Sequence, residues 1–173
     1  MIGLIPCLFL LMVAYPTTVS AQRCGATCAN AESLLGSSEQ ALMASIPELK
    51  RIPKPVKGPR NSRGKWLLPD LFFAKQPYAA TYYIEMGKVI QIDLLSTAPR
   101  LQCKQRTPFE LALLELGKAY EKSRTFGIFE DGGKSMQSVV FNSQEVDVSV
   151  HFSLAPEDCA TKVIYRIHDG IVE

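Results

Sequence analysis

The sequence predicts an α+β fold: two helix-strand-strand-strand units whose strands join in one antiparallel sheet, with the helices on one face. Three observations predict it. Helix-opening signals recur at Ser37 and Thr107, and three strand-like segments follow each of them. The two halves also keep step, since Thr107 lies 70 residues after Ser37 and Ile167 lies 72 after Leu95. Pseudo-repeats are therefore expected over 31–95 and 107–167, inside a single mature domain of residues 22–173.

The first helix is expected between Ala31 and Ser45. Ser37-Ser38-Glu39-Gln40 has capping-box spacing, Leu42, Met43 and Ile46 supply an apolar stripe, and Pro47 ends the helix. The second opens at Thr107-Pro108-Phe109-Glu110, which combines an N-cap Thr, a Pro at the first helical position and a Glu three residues on. Phe109, Leu113, Leu116 and Tyr120 then share one face. Strands are expected at Trp66–Phe73, Tyr78–Met86 and Lys88–Leu95, with Gly87 in a tight turn, and then at Met136–Phe141, Glu145–Phe152 and Ala160–Ile167. The alternation Val146-Asp147-Val148-Ser149-Val150-His151-Phe152 is the strongest strand signal in the chain and marks a half-buried strand.

The first 21 residues read as a cleavable secretory signal. Ile2 to Tyr15 is an uncharged apolar run, and Val19, Ser20 and Ala21 place small side chains before a cut after Ala21. The usual Lys or Arg at the start is missing. Gln22 and Arg23 stand before Cys24 where lipidation needs small residues, which argues for an unanchored product. Periplasmic or secreted localisation follows as the expectation.

Removal of the signal takes Cys7 with it and leaves Cys24, Cys28, Cys103 and Cys159, an even number that points to disulfides in an oxidising compartment. Three pairings are open. Cys24 with Cys28 and Cys103 with Cys159 is preferred, because the first two are close in the chain and the others flank elements of the second half. His151 and His168 lie far from any Cys pair, so zinc is disfavoured. The three residues between Cys24 and Cys28 do not match a thioredoxin-type redox motif.

Charge is unevenly distributed. Lys50, Arg51, Lys54, Lys57, Arg60, Arg63 and Lys65 put seven cations in sixteen residues with no acid, interleaved by Pro53, Pro55 and Pro59. Removing those seven from 19 leaves 12 basic against 17 acidic residues elsewhere. The segment reads as a proline-stiffened basic loop, and Lys54, Lys57, Arg60, Arg63, Lys65 and the adjacent Trp66 form the candidate partner-binding set. Nucleic acid is excluded as a partner, because base-stacking aromatics are not interleaved with the charge.

No catalytic residue, metal ligand or cofactor site is assigned. Asp147, Ser149 and His151 fall on the polar face of one strand, but alternate side chains rise about 6.6 to 7 Å apart, so a direct relay is not expected. Glu130-Asp131-Gly132-Gly133 lacks a full calcium-loop pattern. His168 beside Asp169 and Gly170 reads as a turn residue.

With Leu34-Leu35-Gly36-Ser37 at the helix opening and Met86-Gly87-Lys88-Val89 at the strand turn, the repeated pattern resembles the tandem-repeat beta-lactamase inhibitory proteins and the related outer-membrane assembly lipoproteins. The resemblance covers most of the mature chain as topology, and the lipobox of the lipoproteins is missing. It implies a non-enzymatic exported protein that inhibits or neutralises another envelope protein, such as an immunity protein against a delivered toxin. Two alternatives are carried: an envelope-maintenance factor that binds lipid, peptidoglycan or an assembly complex at the membrane surface without being anchored, and a hydrolase.

Overall fold

Alternating burial is cleanest in two strands of the second half, Val146–Leu154 and Cys159–Ile167. The computed structural model describes residues 31–131, 134–143 and 145–168. In chain order it comprises α1 (Ala31–Leu34), α2 (Glu39–Ser45), β1 (Lys50–Lys57), β2 (Arg63–Phe73), β3 (Gln76–Glu85), β4 (Lys88–Ser96), α3 (Arg100–Lys104), α4 (Thr107–Leu116), β5 (Glu121–Asp131), β6 (Lys134–Asn142), β7 (Val146–Leu154) and β8 (Cys159–Ile167). All eight strands form one antiparallel sheet in the order β1-β2-β3-β4-β8-β7-β6-β5. The two meanders meet where β4 pairs with β8, from Gln91↔Arg166 to Leu95↔Lys162.

This corrects the α+β expectation. The helices are 4, 7, 5 and 10 residues long against strands of 8 to 11, so the chain is mostly β, and a layer of helices over one sheet face does not describe it. Each half holds four strands, not three. The two extra strands, β1 and β5, are the sheet's edges. In β1 the prolines masked the strand: pairing runs through Lys50↔Leu67 and Arg51↔Trp66, breaks, and resumes at Val56↔Gly64, so Pro53 and Pro55 sit where the ladder is interrupted.

The helices are shorter than expected for local reasons. Gly36, at φ +78°, splits the first segment into α1 and α2, and Ser38 caps α2 by accepting from the Ala41 N–H at 3.1 Å. A further short helix, α3, precedes the second segment, and Arg106 at φ +63° turns the chain into α4, making Thr107 the first helical residue and not the cap. Met86 and Gly87 both have positive φ, the backbone of a tight two-residue hairpin turn, and Ala74 and Lys75 do the same between β2 and β3.

One core unites the halves. Leu42 and Ile46 from the first helical segment and Phe109, Ala112 and Leu116 from α4 pack with Tyr78, Ile92, Val148, Val150, Phe152 and Val163. Phe109 lies 5.7 Å from Phe152, centroid to centroid, and the Arg106 guanidinium sits 5.0 Å from both rings. The same guanidinium donates to Gln137 Oε1 and lies 3.4 Å from Glu110, tying α4 to β6 and β7. Tyr78 donates to the Pro108 carbonyl at 3.2 Å, and burial raises its phenol pKa well above the ordinary tyrosine value. Cys103 of α3 is bonded to Cys159 at the start of β8. The expected signal segment and the expected Cys24–Cys28 bond lie outside the described residues, as do Gly132, Gly133, Asp169 and Gly170.

Candidate functional site

Alternation sends Val146, Val148, Val150 and Phe152 of β7 into the core and therefore sends Asp147, Ser149 and His151 to the opposite face. Register then aligns residues from six neighbouring strands, most of them polar, in rows across that face. One row runs Tyr83, Gln91, Arg166, Asp147; the next Thr81, Asp93, Ile164, Ser149, Val140, Arg124; the third Lys162, His151, Ser138, Phe126. Over β5–β8 these residues line a trough of about 680 Å³ to which no helix contributes: Arg124, Phe126, Ser138, Val140, Asp147, Ser149, His151, Ile164 and Arg166.

The centre of the face is a connected polar network. Asp93 is 4% exposed, and a carboxylate so deeply buried requires partners. It accepts from Gln91 Nε2 at 2.6 Å and from Lys162 Nζ at 2.6 Å. Tyr83 also bonds to it; burial, the Asp93 charge and that hydrogen bond push the phenol pKa up to about 12. Gln91 Oε1 in turn accepts from Arg166 Nε at 2.7 Å. The β1–β2 turn closes over this end, and Gly58 is needed there: a Cβ would stand 2.4 Å from the Tyr83 ring and 2.3 Å from Ser62 Oγ.

Ser149 and His151 meet, against the expectation from strand rise. The imidazole lies along β7, placing Nε2 2.8 Å from Ser149 Oγ, while Nδ1 is 2.7 Å from Ser138 Oγ on the neighbouring strand. Ring length spans the gap that backbone spacing alone leaves. Asp147 takes no part and pairs with His168 at 3.0 Å. Burial, reinforced by the positive charge of Lys162, lowers the His151 pKa, so the ring is neutral near pH 7 and offers one donor and one acceptor. Both residues sit inside the β6–β7–β8 ladder, whose backbone N–H groups serve strand pairing. The arrangement therefore supplies two hydroxyl groups aligned on one imidazole, beside Arg124 and Arg166 in the same trough.

The sequence-selected basic residues do not gather at this site. Lys54 and Lys57 lie exposed on the edge strand β1, Arg60 sits in the following turn at φ +56°, and Arg63 opens β2. Lys65 and Trp66 instead hold α2 to the sheet: Lys65 Nζ lies 3.0 Å from Glu39, and the Trp66 indole donates to Glu39 at 2.8 Å. Burial alone would raise the Glu39 pKa; the bonds from Trp66 and Lys65 outweigh it and bring the carboxyl below its ordinary value. Lysines and prolines on an outermost strand also discourage edge-to-edge pairing, which gives the cluster a structural use.

Gln91, Asp93, Ser138, Lys162, Arg124 and Arg166 are not among the residues that the sequence singles out. Their signal was present as Gln91 and Asp93 two apart inside an otherwise apolar strand, and as Lys162, Ile164 and Arg166 alternating with Val163 and Tyr165.

Comparison of the chain with protein-family models, characterised proteins and solved structures returns no match. Among the described residues no helix is long and apolar enough to cross a membrane, and the Cys103–Cys159 bond is compatible with an oxidising environment.

Proposed function

We propose that this chain is an exported binding protein, working in the periplasm or outside the cell, that captures and neutralises another protein of the envelope, in the manner of an immunity protein or inhibitor. The observation that carries the reading is the polar sheet face: side chains from β3, β4, β6, β7 and β8 are held by hydrogen bonds before any partner arrives, and over β5–β8 the face opens into the trough, which no described helix lines. A preorganised surface loses little conformational entropy on association.

Envelope extract passed over the immobilised mature chain tests this. A stoichiometric partner should be retained by the wild type and by an Arg60→Glu, Arg63→Glu variant, and lost from a His151→Glu, Ile164→Glu variant. If no stoichiometric protein is retained, the reading fails; if the first variant alone loses it, the contact is the basic edge. The alternative of an envelope-maintenance factor draws on the exposed cations of β1, and salt-sensitive sedimentation with anionic vesicles by protein that captures no partner would favour it.

A further inference from the structure

We propose that the trough on β5–β8 receives a carboxylate side chain flanked by an apolar side chain, presented by a surface loop of the captured protein; the inference rests on the protein-binding reading. Four observations carry it. Arg124 and Arg166 both line the trough, and neither forms an ion pair with a described carboxylate. Arg166 is oriented in advance, because its Nε donates to Gln91 Oε1, and Gln91 is itself anchored on Asp93. With Nε committed, the two Nη groups are left for a planar acceptor, the geometry in which guanidinium binds carboxylate through two parallel hydrogen bonds.

The serines add a further donor. A neutral imidazole donates from one nitrogen and accepts at the other, so of Ser138 and Ser149 one hydroxyl points its hydrogen into the ring and the other accepts from it. The accepting hydroxyl keeps its own hydrogen for an incoming oxygen. Asp147 is the single carboxylate among the described lining residues and is already engaged by His168, and the neighbouring cation Lys162 is engaged by Asp93. Charge complementarity thus favours an anion over a cation.

Phe126, about half exposed, together with Val140 and Ile164, supplies an apolar wall beside these donors. A volume of about 680 Å³ holds more than a bare carboxylate and falls within the range of small-ligand clefts. An acidic residue next to an aromatic or aliphatic one satisfies both walls together.

The test uses two capped peptides, acetyl-Gly-Glu-Phe-Gly-amide and its Gln counterpart, titrated into the isotopically labelled mature chain and followed by amide chemical shifts. The expected result is perturbation at Ser138, Ser149, His151 and Ile164 by the Glu peptide, with at least ten-fold weaker binding of the Gln peptide. Arg124→Gln, at an exposed site where folding is not at stake, should weaken the Glu peptide several-fold, and Arg166→Lys should do so while keeping the charge but losing the fork. Equal affinity for the two peptides, or shifts confined to other faces, overturns the inference. Partner capture that still depends on His151 and Ile164 while the peptides bind alike leaves the protein-binding reading standing and removes the carboxylate. Charge-selective peptide binding without any captured protein does the reverse.

Discussion

Breaking the Cys103–Cys159 bond provides a quantitative probe of how the two ends of the second half are held together. The cysteines are 56 residues apart, and closing a loop of that length removes about 14 cal/mol/K from the unfolded ensemble, equivalent to about 4 kcal/mol at 25 °C. For a domain whose total stability is of order 5–15 kcal/mol, this is a large share. Cys103 is buried in the core and Cys159 is partly buried against it, so replacing the pair adds a packing loss to the loss of the bond. The informative comparison is therefore the oxidised protein, the same protein reduced, and a Cys103→Ala, Cys159→Ala variant. Urea unfolding followed by the fluorescence of Trp66, the only tryptophan in the chain, reads all three. The reduced protein should lose about 4 kcal/mol, the variant the same or somewhat more, and both should show a steeper denaturant dependence because the open chain exposes more surface on unfolding. A loss below about 1 kcal/mol on reduction would refute the loop-entropy argument.

Glu39→Gln should cost about 1–2 kcal/mol, a value discounted from that of charged hydrogen bonds because the Glu39 side chain is 26% exposed. Since the folded pKa of Glu39 is lowered, its contribution is full above the ordinary glutamate value and disappears as pH falls through the folded one; urea midpoints of wild type and variant should converge in that acid window. His151 has a folded pKa below its ordinary value of 6.5, so as pH falls below that value the unfolded chain takes up a proton the folded chain resists, and stability drops. A His151→Asn variant should lack that part of the slope in thermal melts between pH 7.5 and 5, and parallel curves would contradict the placement of the ring. Gly58→Ala should destabilise by about 1–3 kcal/mol through overpacking against Tyr83, read by denaturant unfolding.

What could be read from sequence was the locally determined part. The β7 alternation, the Met86-Gly87 turn and the Pro108 helix opening announce themselves within a few residues, and each is found in place. β1 and β5 were missed because an edge strand is defined by the neighbour it pairs with, and in β1 two prolines argued against pairing altogether. Helix content was overestimated for the same reason in reverse. Capping signals mark where a helix begins, but Gly36 and Arg106, with positive φ, determine how the segments are cut. The polar face was visible only as single strands: Asp147, Ser149 and His151 could be put on one side, while Asp93, Lys162 and Ser138 joined them only through cross-strand register. Asp147 was grouped with His151 by spacing, yet its partner is His168, twenty-one residues further on.

The position of β8 bears on how the chain reaches its final shape. β8, the last of the described strands in chain order, is inserted between β4 and β7 and so occupies the middle of the sheet. Until it arrives, β4 has a bare edge carrying Ile92 and Leu94, and the two meanders have no ladder in common. Long-range closure of this kind is slow, and an uncovered strand edge invites association with other chains during the delay. Truncation just before Cys159 should leave two unjoined four- and three-stranded fragments prone to aggregate, so that the integrity of the nine-residue β8 governs the yield of folded protein as well as its shape.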